Sequence, residues 1–172
     1  SIVRIMGYMN FPRHFITWIY ECIIGAKFSI IINGAHVGFF NSKQGVRQGD
    51  PISAYIFIMV MELLTRMINK LVDSNLFSLH PKCKDPRVTA LMFADDLVIF
   101  CNPNLPTIKA ILDTLSEFHN MTGLKVNLPK SEMLLAGVPQ HTIDFLEDYT
   151  GLRSPNDSSS YLGLPLTTTK VL

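Results

Sequence analysis

Leu91-Met92-Phe93-Ala94-Asp95-Asp96-Leu97-Val98-Ile99-Phe100 sets two adjacent carboxylates between two short apolar runs. Runs of that length and composition read as strands over 88–93 and 97–100, with the acidic pair at the bend. Asp-Asp is a poorer two-residue turn than Asn-Gly or Asp-Gly, because a glycine avoids the Cβ penalty at positive φ. Two adjacent ionised carboxylates also repel, and a low-dielectric wall raises that cost. A divalent cation removes the repulsion. Hard Asp oxygens suit Mg²⁺, which takes one or two protein carboxylates and completes its shell with water and substrate phosphate. Taken alone, the pair also reads as an ordinary exposed acidic turn.

Upstream stands a second anomaly, Gly45-Val46-Arg47-Gln48-Gly49-Asp50-Pro51-Ile52-Ser53. Its glycines let the backbone approach a ligand, Gln48 can donate and accept, and Arg47 can contact phosphate. Asp50 as N-cap and Pro51 as first residue open a helix to about residue 72. That helix is apolar nearly all round and is expected at the centre of the domain. The loop reads equally as a plain strand-to-helix connection, and it lacks the Lys-Ser/Thr of a nucleotide-binding G-x-x-x-x-G-K-[ST] loop.

Further out, residues 2–8 and a stretch opened by Pro12 and closed by Gly25 read as helices. Residues 27–32 and 36–40 flank Asn33-Gly34, a strong hairpin signal. Residues 105–121 form a helical pattern facing Ile108, Ile111, Leu112, Leu115 and Phe118 inward, with Gly123 past its end. Residues 124–127, 132–136 and 161–166 read as strands, 142–149 as a helix, and 42–49 and 154–160 as polar loops. Helices and antiparallel strands mix without strict βαβ alternation, so the fold class is α+β. The chain reads as one domain over 1–172, in three stretches: helices and hairpin over 1–50, core helix, acidic hairpin and following helix over 51–130, and terminal strands and helix over 131–172.

With 172 residues, 48% of them hydrophobic and a net charge of +1, the composition excludes a disordered chain and a protein held to nucleic acid by bulk charge alone. The charge is uneven. Residues 1–50 carry five basic side chains against Glu21 and Asp50, a net of +3, whereas residues 105–172 carry five against seven. A polyanion is therefore expected to meet the first third. Three scattered cysteines, Cys22, Cys83 and Cys101, suggest a reducing compartment, and His80 with Cys83 lacks the second ligand pair of a zinc site. The longest apolar stretch, from Ala54, is interrupted by Glu62 and falls short of the roughly 20 residues of a membrane span, so a soluble chain with no membrane partner is expected.

The glycine loop, the long apolar helix and Phe93-Ala94-Asp95-Asp96, in that order, closely resemble reverse transcriptases of the non-LTR retrotransposon (LINE) type. Gly123-Leu124-Lys125-Val126-Asn127 with Lys130-Ser131 is similar to that family's fourth palm motif, and Tyr161-Leu162-Gly163-Leu164-Pro165-Leu166 to its primer-grip strand. Residues 11–33, including Trp18-Ile19-Tyr20-Glu21-Cys22, resemble plant members. The resemblance implies a polymerase palm, an antiparallel sheet backed by helices and truncated here at both ends. It implies RNA-directed DNA synthesis from an RNA template, a DNA primer and dNTPs, with two Mg²⁺ ions. By the same resemblance Asp95 and Asp96 are metal and catalytic carboxylates, with Lys130 protonating pyrophosphate. Arg47, Gln48 and Gly49 line the nucleotide and template pocket, and Tyr161, Leu162 and Gly163 support the primer. The family's work at chromosomal DNA implies the nucleus, though no run of Lys and Arg marks the chain for it.

The pattern departs from the family in one respect. The family's metal site takes a further aspartate from an Ala-Phe-Asp strand, and before Asp50 this chain has only Glu21, which lies in a helical pattern. The missing strand is expected upstream of Ser1. A non-catalytic retroelement remnant is therefore the alternative reading. A metal-dependent hydrolase would leave the ordered motifs unexplained, and a group II intron type fits residues 161–166 less well.

Overall fold

The computed structural model describes residues 2–41, 45–155 and 158–167. The opening of the expected 42–49 loop and the middle of the 154–160 loop lie outside the described residues. Five helices, α1 (Ile2–Tyr8), α2 (Arg13–Ile24), α3 (Pro51–Asp73), α4 (Leu105–Thr122) and α5 (Gln140–Thr150), accompany six strands. These are β1 (Lys27–Ile32), β2 (Ala35–Asn41), β3 (Ala90–Phe93), β4 (Asp96–Ile99), β5 (Ser158–Tyr161) and β6 (Leu164–Thr167). The class is α+β. The described strands pair only within three separate antiparallel hairpins, β1–β2, β3–β4 and β5–β6, where one backed sheet was expected.

Two compact units divide the chain, Ser1–Leu64 and Thr65–Leu172. In the first, Met6, Ile19 and Ile56 are buried together, with Ile2, Phe11, Phe15, Ile16 and Ile23 packed around them. Gly25 ends α2 where a Cβ would meet the Glu21 carbonyl oxygen at 2.8 Å, a contact a side chain could not hold. Asn33 and Gly34 turn the β1–β2 hairpin with φ of 51° and 80°, as the dipeptide demands. Beyond the turn, Gly38 at φ 65° forms a bulge, where the register slips between Ser29 and Ile30.

The expectation that α3 is central does not hold along its length. Ile56, Leu64 and Ile68 are buried, but Tyr55 and Ile58 are 67% and 63% exposed. An all-round apolar pattern tells how much surface needs covering, and only the contacts tell how much is covered. By length and composition alone α3 is long and apolar enough to cross a membrane, whereas the apolar run interrupted by Glu62 falls short of that length.

In the second unit α4 buries Ile111 and Phe118 as expected, with Ile108, Leu112 and Leu115 half-buried, and adds two unexpected buried residues, Thr107 and Thr114. Thr107 takes a core position because its hydroxyl accepts the Ser78 N–H at 3.0 Å, satisfying a group that Leu could not. Asn104 caps α4 through Thr107 N–H, and Gly123 at φ 82° closes it. Burial pushes the Cys101 thiol from 9.0 up to about 11, leaving it protonated and inert at neutral pH.

Residues 124–127 and 132–136 do not form the expected strands. Leu124 bonds the end of α4 instead, its N–H to Thr122 Oγ1 and its carbonyl to the His119 ring, and a 3₁₀ turn covers Leu128–Lys130. Among the described residues one bridge, Glu132 to Arg153, is all the pairing that 132–136 makes.

Candidate functional site

Asp50 organises the glycine loop. Its Oδ1 accepts the Ile52 N–H at 3.1 Å, its carbonyl accepts Ser53 N–H at 3.0 Å, and Ser53 Oγ donates to the Arg47 carbonyl at 2.6 Å. These bonds close the first turn of α3 and hold Arg47, Gln48 and Gly49 together on its N-terminal side, all three exposed. Gly49, at φ 84°, sits where a side chain would be strained. The cleft between this loop and the α2–β1 corner, lined by Cys22, Phe28, Arg47 and Asp50, measures about 20 Å³. That is room for a water and far too little for a nucleotide, so any large ligand meets the loop from outside.

In the second unit the acidic pair stands at a hairpin tip, but one residue out of the expected place. Phe93 pairs with Asp96, so the two turn residues are Ala94 and Asp95, and Asp96 opens β4. Ala94 has φ 49° and Asp95 has no positive φ, the sign pattern of a II′ turn, which normally places glycine first. An alanine offers no sequence signal for that conformation, which is why the pair itself looked like the turn. Met92 and Leu97 point to the half-buried face, whereas Phe93 and Asp96 share the exposed one. Both carboxylates are exposed, and among the described residues neither has a hydrogen bond or ion pair.

The left-handed backbone of Ala94 costs about 1–2 kcal/mol. Ala94→Gly is expected to stabilise the chain by roughly 0.5 kcal/mol, since the extra freedom of glycine in the unfolded chain takes back about 0.4–1 kcal/mol. A urea midpoint that falls, or stays put, would show that this backbone carries no strain.

Lys130 ends the Leu128–Lys130 turn, exposed, its N–H bonded to the Asn127 carbonyl. Residues 161–166 are not a single strand. Tyr161 ends β5 and pairs with Leu164, and Leu162 and Gly163 form the two-residue turn with φ of 53° and 78°. Both signs positive define a I′ turn, which Leu-Gly only half advertises. Ser159, on β5, donates from Oγ to Glu132 Oε2 at 3.0 Å, tying the strand to the segment that follows Lys130.

Asp95, Asp96, Lys130, Tyr161, Leu162 and Gly163 thus share the second unit, with no hydrogen bond or ion pair among their side chains, while Arg47, Gln48 and Gly49 belong to the first. Among the described residues no group of three His, Cys, Asp or Glu gathers to hold a metal. The pair fits a single Mg²⁺ chemically, because that ion needs only one or two carboxylates. It does not supply the ligands of a two-ion centre.

Comparison with known proteins identifies the family. The family described as reverse transcriptase (RNA-dependent DNA polymerase) matches residues 2–166. The Pol polyprotein of the type-2 retrotransposable element R2DM of Drosophila melanogaster is 28% identical over 92% of this chain and 15% of its own length. The Pol polyprotein of the type-1 element R2 of Popillia japonica is 26% identical over 99% of this chain and 28% of its own. An uncharacterised mitochondrial protein of Arabidopsis thaliana is 39% identical over 38% of this chain and 55% of its own. This chain therefore spans less than a third of either polyprotein. With the match running nearly end to end, the chain belongs to the reverse transcriptase family, among those of non-LTR retrotransposons.

Proposed function

We propose that this chain is a palm-type portion of an RNA-directed DNA polymerase, working on an RNA template, a DNA primer and dNTPs. One observation carries the reading: two exposed carboxylates at a hairpin tip whose turn holds a non-glycine residue at positive φ. Strained backbone of that kind concentrates at functional sites. Asp95 is the principal Mg²⁺ ligand and Asp96 the second. Held by these two carboxylates, Mg²⁺ would supply positive charge to the substrate phosphates and to the primer 3′-hydroxyl.

The chain's own residues do the rest. Arg47 offers its guanidinium to phosphate, and Gln48 with the open backbone at Gly49 meets the nucleotide and template. Lys130 supplies a proton to pyrophosphate as a general acid. Tyr161, Leu162 and Gly163 support the primer from a hairpin tip, where a tight turn lets the backbone come close.

A second reading, a retroelement domain without catalysis of its own, is favoured by the absence of a third metal ligand among the described residues. Primer extension on an RNA template separates the two. The 172-residue chain is expected to remain at background, since losing a bridging carboxylate removes several kcal/mol of transition-state stabilisation and each 1.36 kcal/mol is about tenfold. Extension that Asp95→Asn abolishes would show that the site is complete as it stands.

A further inference from the structure

The strand that leads to the acidic tip is fastened to α3 along one ridge of the helix. Thr65, Asn69 and Asp73 stand four apart on that ridge, and their partners follow in the opposite order along the chain. Asp73 Oδ1 accepts from Arg87 Nη1 at 2.9 Å, Asn69 Oδ1 accepts from Thr89 Oγ1 at 3.1 Å, and Thr65 Oγ1 donates to Met92 Sδ at 3.6 Å. Arg87 Nη2 also donates to the Asn69 carbonyl at 3.2 Å. All six residues belong to the second unit, where β3 and its lead-in run antiparallel to α3.

The three fastenings are unequal. Arg87 and Asp73 are both exposed, and water and salt weaken such an ion pair. A thioether is a weak acceptor, so Thr65 holds Met92 loosely. Thr89, by contrast, is 7% exposed, and its hydroxyl is satisfied by the half-buried Asn69. Apolar contact is non-directional and lets a hairpin tilt on a helix, whereas a hydrogen bond has one length and a narrow range of angles. Thr89 also passes that constraint on, because its carbonyl accepts the Phe100 N–H at 2.9 Å and adds a rung to the β3–β4 ladder. From there the register runs without a shift through Leu91 and Val98 to Phe93 and Asp96.

We infer that Asn69 and Thr89 are positioning residues: their bond fixes the angle at which the hairpin stands on α3, and hence where Asp95 and Asp96 present their oxygens. The purpose of that constraint rests on the polymerase reading, in which a cation at the tip serves only at a set place relative to the substrate. The constraint itself needs no metal.

Residual dipolar couplings of the backbone N–H groups, which report orientation, test this on the full chain in EDTA. In the parent, couplings from the hairpin, Asp95 and Asp96 included, are expected to share one alignment with those of α4. Thr89→Val keeps the volume and removes the hydroxyl, and the hairpin should lose that common alignment. Asn69→Leu, which suits a helix, should do the same, and the double variant no more than either alone, since each removes the same bond. Thr89→Ser loses a buried methyl and some stability but keeps the donor, and should keep the common alignment. Circular dichroism checks that each variant is folded. Common alignment kept in Thr89→Val, or lost in Thr89→Ser, would overturn the inference. Mn²⁺ binding by the same variants separates this result from the metal reading. Thr89→Val should stay within about twofold of the parent affinity, because neither a ligand nor a group bonded to one is removed. A loss of about tenfold would make Thr89 part of the binding site itself and also overturn the inference. Absence of Mn²⁺ binding in the parent would end the metal reading and leave the orientation result standing.

Discussion

Asp95→Asn is expected to weaken Mn²⁺ binding at the β3–β4 turn by more than about tenfold. Mn²⁺ is the probe because it takes the same oxygen ligands as Mg²⁺ and its free signal can be counted by paramagnetic resonance. Even a group that only orients a metal ligand costs about 10–100-fold in affinity when removed, so loss of a direct ligand should cost no less. Asp96→Asn should have a smaller effect, since Asp96 already belongs to the β4 ladder and pairs with Phe93, whereas Asp95 sits in the turn itself. Equal Mn²⁺ affinity in the parent and both variants would end the metal reading and leave an acidic tip with no ion to hold. The turn geometry also separates two sources of effect: Ala94→Gly changes the backbone without touching either carboxylate.

Met6→Ala should cost about 2–5 kcal/mol, a large part of the 5–15 kcal/mol that holds an ordinary domain. Met6 is fully buried and meets Ile19 and Ile56, so α1, α2 and the start of α3 lose a shared contact at once. The cost is large because a cavity lined by three helices has little freedom to collapse. Urea unfolding followed at Trp18, on α2, reads the unit directly. A loss below about 1 kcal/mol would mean that the first unit does not depend on this cluster.

Much of the local structure was legible in particular residues. Asn33-Gly34 demanded a hairpin turn and formed one, Asp50-Pro51 opened α3, and Gly123 closed α4. Each is a backbone requirement that one or two side chains announce. The loop holding Arg47, Gln48 and Gly49 was legible for the same reason. The acidic hairpin at Asp95 was legible as a hairpin but not in its turn geometry, because Ala94 is an ordinary residue in an unusual conformation. Leu162 hid the β5–β6 turn in the same way, and the bonds of Leu124 to the end of α4 replaced the strand that the apolar run over 124–127 suggested.

Sequence alone determined the α+β class, the order of the motifs and the family, since those depend on local backbone demands and on residues at fixed spacing. Tertiary structure alone decided that Thr107 and Thr114 join the buried face of α4, how little of α3 is covered, and that the described strands close as three hairpins. Those outcomes depend on which surfaces find partners, and a hydrophobic pattern states how much surface seeks cover without naming what covers it.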